Sequence, residues 1–220
     1  MKLEAELTTL VIAGAWNPAI VTPNWIAHHV LGFSINHEFQ VLLQMPVQGF
    51  GMPPRFSFEG LTLTAQPEAL IFALDPNKQE QVQKTVQTAA TILELLTHTP
   101  ISAVGVNLTI SLDAASHLLT SSFETSAAVA ELTGDDDPKV VNQEWKTGIK
   151  LSDHLLNLSC IKSGGQTKLI FNHHFEAGSA PNAARVLKDN ALFSRLKHLS
   201  ETIATQLESG ENNVSQSIIL

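Results

Sequence analysis

The chain has 220 residues, with 13 Lys+Arg against 21 Asp+Glu for a formal charge of −8, and 44% of it is hydrophobic. That apolar share excludes wholesale disorder, and a single cysteine, Cys160, excludes an internal disulfide and a zinc site built from cysteines. Residues 1–100 carry four Lys/Arg and eight Asp/Glu, and residues 101–220 carry nine and thirteen, so each half is acidic and a nucleic-acid partner is disfavoured.

The N-terminus, Met1-Lys2-Leu3-Glu4-Ala5-Glu6, has two early acids and no apolar core of a signal peptide. No run of apolar residues is long enough to span a bilayer, so no membrane association is expected and the cytoplasm is the expected location. A first strand ahead of Trp16 leads to a short helix at about 23–31. Residues 38–47 alternate through Phe39, Val41, Leu43, Met45 and Val47, the period of a half-buried strand. Residues 55–64 alternate as well, with a phase break at Glu59-Gly60 that predicts a bulge or tight turn. Residues 69–74 are apolar on both faces, as in a central strand.

Asp75-Pro76 has the form of an N-cap followed by proline in the first helical position, which predicts a helix over 76–98. Val82, Val86, Ala89, Leu93 and Leu96 form its apolar face, with Gln, Lys and Thr opposite. Residues 101–112 are the clearest strand, with Val104, Val106, Leu108, Ile110 and Leu112 on one face and Asn107, Thr109 and Ser111 on the other. Asp113 caps an expected short helix at 114–123, and 133–138 (TGDDDP) reads as a loop. Strands follow at about 140–151, 154–162 and 167–175, with Ser163-Gly164-Gly165 turning the last two into a hairpin. One long helix is expected over 182–208, with Leu192, Leu196, Leu199, Ile203 and Leu207 as its seam, and 209–220 as a frayed tail.

The two halves spell the same order of elements, and each meander ends in the same word, Leu70-Ile71-Phe72 and Leu169-Ile170-Phe171. The expected fold is therefore α+β. Residues 1–100 and 101–208 form two β-α-β-meander-α pseudo-repeats packed as one unit, with one largely antiparallel sheet and the long helices on one face. In architecture this resembles TATA-binding-protein-like or ferredoxin-like tandem folds, which implies an open, saddle-like face opposite the helices. The alternative is a helix-grip fold, with the sheet wrapped round the C-terminal helix.

No phosphate-binding glycine loop, HExxH pair or nucleophile elbow occurs. Cys160 reads as a buried thiol within an apolar strand face, and Asp135-Asp136-Asp137 as a solvated loop rather than a calcium loop. No metal and no cofactor are implied. Residues 45–54 (MPVQGFGMPP) are apolar yet irregular, which marks Met45, Phe50 and Met52, together with Trp16 and Trp25, as candidate partner-binding residues. His29, His37, His173, His174 and Asn107 are the candidate ligand contacts. The expected function is a non-catalytic protein-interaction or regulatory module, binding a protein partner or a second copy of itself. The alternative is a small-ligand-binding protein or enzyme using a His-lined cleft between the halves.

Overall fold

A computed structural model describes residues 1–44, 53–112, 142–163 and 166–209. The strands are β1 (Lys2–Leu3), β2 (Thr9–Gly14), β3 (Leu42–Gln44), β4 (Arg55–Phe58), β5 (Leu61–Ala65), β6 (Ala69–Ala73), β7 (Ile101–Leu112), β8 (Asn142–Lys150), β9 (Leu155–Ser163) and β10 (Gln166–Glu176). The helices are α1 (Pro23–Trp25), which continues as a π-turn over Ile26–Val30, α2 (Gln79–Leu95), α3 (Ala180–Leu187) and α4 (Leu192–Ser209). This is an α+β fold with one antiparallel sheet in the order β3-β4-β5-β6-β2-β7-β10-β9-β8. β1 pairs with β7 ahead of β2, and the 3₁₀ turn Ala5–Leu7 absorbs the shift in register between them.

Strand alternation sorts the side chains of the sheet onto two faces. The buried face consists of Leu10 and Ile12 of β2, Leu70 and Phe72 of β6, Val104, Val106, Leu108 and Ile110 of β7, and Leu169, Phe171, His173 and Phe175 of β10. Ile26, Ala89, Ile92, Leu93, Ala183, Leu187, Leu192 and Leu196 of the helices close the same core from that side. Burying an apolar side chain here contributes about 1.5–3 kcal/mol, so the alternation along β7 and β10 is what orients the sheet. The opposite face carries Thr9, Val11, Gly105, Asn107, Ile170, Asn172 and His174, and no described helix covers it.

β7 occupies the expected residues, and β8, β9 and β10 lie within two residues of theirs. The break at Glu59-Gly60 is a tight turn with both residues at positive φ (49° and 75°), joining β4 to β5 as a hairpin. Of the strand expected over 38–47, only Leu42–Gln44 is a strand among the described residues.

Four helix expectations are corrected. α2 begins at Gln79, not Pro76, because the Asp75 carboxylate accepts from the Asn77 N–H and pairs with Lys78, closing a turn before the helix starts. Its buried face includes Thr85 and Thr88, so threonine is not confined to the solvent side. The C-terminal helix is two helices, because Asp189 turns the chain: its carboxylate accepts from the Ala191 N–H and its carbonyl from the Leu192 N–H. The buried stripe of α4 is Leu192, Leu196, Ser200 and Ala204, with Leu199, Ile203 and Leu207 half-buried beside it.

Gly14 ends β2 where the register with β7 shifts. A Cβ there would lie 2.5 Å from the Pro100 carbonyl oxygen and 2.8 Å from Ile101 Cδ1. The backbone is held in place, since the Gly14 N–H donates to Glu68 and the Ala15 N–H to Pro100. Gly14→Ala is therefore expected to cost about 2 kcal/mol, read as a lower urea midpoint with unchanged slope.

Candidate functional site

The sequence-derived candidates scatter. Trp16 is in the core, its indole N–H donating to the Ile12 carbonyl at 2.9 Å. Trp25 is half-buried, with its ring 5.5 Å from that of exposed His29. His37 is exposed and lies against Phe33. Met45, Phe50 and Met52 lie outside the described residues, as do 114–123, Asp135-Asp136-Asp137, Gly164-Gly165 and 210–220. His173 and His174 point to opposite faces of β10, as adjacent strand residues must. The structure therefore brings none of His29, His37, His173 and His174 together.

Asn107 does join a group. On the face opposite the described helices Asn157 donates to Asn172 (3.0 Å), Asn172 to Asn107 (2.7 Å) and Asn107 to the Thr9 hydroxyl (2.9 Å). This ladder crosses β9, β10, β7 and β2 and holds each amide in one orientation.

His173 belongs to a second chain of polar groups, on the buried face. Arg195 donates to Asp153 at 2.9 Å, Asp153 meets His154 Nδ1 at 2.7 Å, His154 Nε2 meets His173 Nδ1 at 2.9 Å, and His173 Nε2 meets Ser200 Oγ at 2.9 Å. With both imidazoles neutral, one proton assignment satisfies every bond: Ser200 O–H donates to His173, His173 Nδ1–H to His154, and His154 Nδ1–H to Asp153. His173 and Ser200 are fully buried, and His154 stacks on Phe175. Burial, then the neighbouring His154 and Arg195, lower the His173 pKa to about 4. Burial alone would raise the Asp153 carboxyl, but hydrogen bonds from His154 and Arg195 outweigh it and lower it.

The order of groups has the form of a Ser-His-Asp relay. Nucleophilic catalysis needs the hydroxyl to reach a substrate carbonyl, and Ser200 has no exposed surface. The chain therefore ties α4 to β10 and to the β8–β9 connection. Sequence reasoning misses Asp153, His154, Arg195 and Ser200, since apart from the adjacent Asp153-His154 the partners lie 19 to 42 residues apart and carry no local pattern. Cys160 is buried, and desolvation raises its thiol pKa. Among the described residues no three His, Cys, Asp or Glu are placed to hold a metal ion.

Two surface features remain. A groove of about 570 Å³ runs between α2 and the α3–α4 corner, floored by Val82, Val86, Ala90, Leu187 and Phe193. The other feature is β8, the last strand of the sheet, which pairs only with β9 among the described strands. Trp145 and Ile149 on its helix-side face are 39% and 38% exposed. The opposite end of the sheet is β3, which pairs only with β4 among the described strands and exposes Leu42 and Leu43; it is three residues long, against nine for β8.

No protein-family model matches the chain, and no curated protein matches it. No described helix is long and apolar enough to cross a membrane.

Proposed function

We propose that the protein is a non-catalytic protein-interaction module, built from two versions of one α+β unit, that takes an extended segment of a protein partner along β8. The observation that carries this reading is the β8 edge, which has no described strand on its outer side and two large apolar side chains half in water. Such an edge is a template for another strand.

The registers support the duplication. Phe56, Leu63, Phe72 and Leu10 form one cross-strand row, and Thr147, Leu158, Phe171 and Leu108 form another in the same order of strands. The two sets of strands meet where β2 pairs with β7 in the middle of the sheet. In the first unit β3 fills the outer edge of β4, and the matching edge of β8 has no described strand. The alternative of a His-lined cleft has less support, because His29, His37, His173 and His174 do not converge, the His154–His173 pair is buried, and the groove at α2 is lined by no histidine.

The test is a peptide-display selection on the immobilised protein, repeated with Trp145→Lys. The reading expects enrichment of peptides that alternate apolar and polar residues, lost in the variant. Enrichment that Trp145→Lys leaves unchanged, or no enrichment at all, overturns it.

A further inference from the structure

We infer that the strand received by β8 is β8 of a second copy, antiparallel about a two-fold axis through Thr147. This rests on the strand-addition reading above and names the occupant. In an edge-to-edge pair about a two-fold axis perpendicular to the sheet, both copies keep their helices on the same side, and directly opposed residues share a face. Centring on Thr147 sets Glu144 opposite Lys150 twice over, on the face opposite the described helices. It sets Trp145 opposite Ile149 twice over, on the helix side, where both are exposed. Lys146, which is paired with Glu144 within its own strand at 2.9 Å, falls directly opposite Gly148 rather than opposite another lysine.

Other registers fit less well. Centring on Gly148 opposes Lys146 with Lys150, a like-charge pair that is destabilising. Centring on Lys146 opposes Trp145 with Thr147 and forms no ion pair. Centring on Trp145 opposes Glu144 with Lys146 but leaves Ile149 and Lys150 beyond the stretch of β8 that it pairs. The run Glu144–Lys150 is thus self-complementary in charge and in apolar contact in one register. Edge pairing over so short a run buries less than a stable interface of standard size, so the dimer should dissociate on dilution.

Sedimentation velocity over a concentration series tests this on the full chain. The wild type should pass from monomer to dimer as concentration rises. Lys150→Glu, which opposes two carboxylates twice, should weaken the dimer roughly tenfold or more. Adding Glu144→Lys to that variant should restore most of the loss, which a merely structural effect would not do. A wild type that stays monomeric, or a Lys150→Glu loss that Glu144→Lys does not restore, overturns the inference. A monomer whose β8 still selects peptides overturns the second copy and leaves the strand-addition reading standing, whereas a monomer that selects none overturns both.

Discussion

Lowering the pH from 6.5 towards 4 should remove roughly 3 kcal/mol of stability, because His173 is held neutral in the fold. The folded-state pKa of about 4 lies below the ordinary 6.5. As pH falls, the unfolded chain therefore takes the proton first and gains free energy relative to the fold. The stability is fully present above 6.5, is lost as pH falls towards 4, and levels off below it. Protonation need break no hydrogen bond, since Ser200 can turn to accept; its cost is a charge in a fully buried site. The lowered Asp153 carboxyl acts in the same direction at still lower pH, as its stabilising pairs are lost when it takes a proton. Urea unfolding at neutral pH and in steps down to pH 4 measures the slope. His173→Gln should flatten it, since an amide can still donate and accept but does not titrate. His173→Ala should also cost about 3 kcal/mol at neutral pH, through the cavity and the buried partners left unpaired. An unchanged slope in His173→Gln would place the acid sensitivity elsewhere.

How far the sequence can be read depends on the range of the signal. The alternation of β7 and β10 is local, and both strands lie where it puts them. The start of α2 is three residues later than its cap signal suggests, because Asp75-Pro76 suits a turn as well as a cap, and only the Asn77 and Lys78 contacts decide between them. The break before α4 contains neither proline nor glycine, so periodicity runs across it. The polar chains are illegible for a different reason. Asn107 meets Asn172 across 65 residues and Thr9 across 98, and Ser200 meets His173 only when α4 lies on β10. Trp145 reads as a strand residue, but its exposure depends on β8 being the last strand, which is a property of the strand order.

Truncating the central aromatics tests whether the two halves stand or fall together. Phe72 of β6 and Phe171 of β10 are fully buried. Phe72→Ala and Phe171→Ala should each cost about 4 kcal/mol, as expected for a large side chain removed from a packed core. The two rings are separated by three strand steps, about 14 Å, so neither cavity can be filled by the other's collapse. The core is nevertheless continuous, because Leu10 of β2 faces Val106 of β7 and Ile12 faces Val104. Unfolding either half would expose that seam. Either variant should therefore shift one common transition, seen equally by Trp16 and Trp25 in the first half and by Trp145 in the second. Single-tryptophan variants followed in urea provide the readout. Two transitions, with Phe72→Ala moving only the one reported by Trp16 and Trp25, would mean that the β2–β7 seam does not couple the halves.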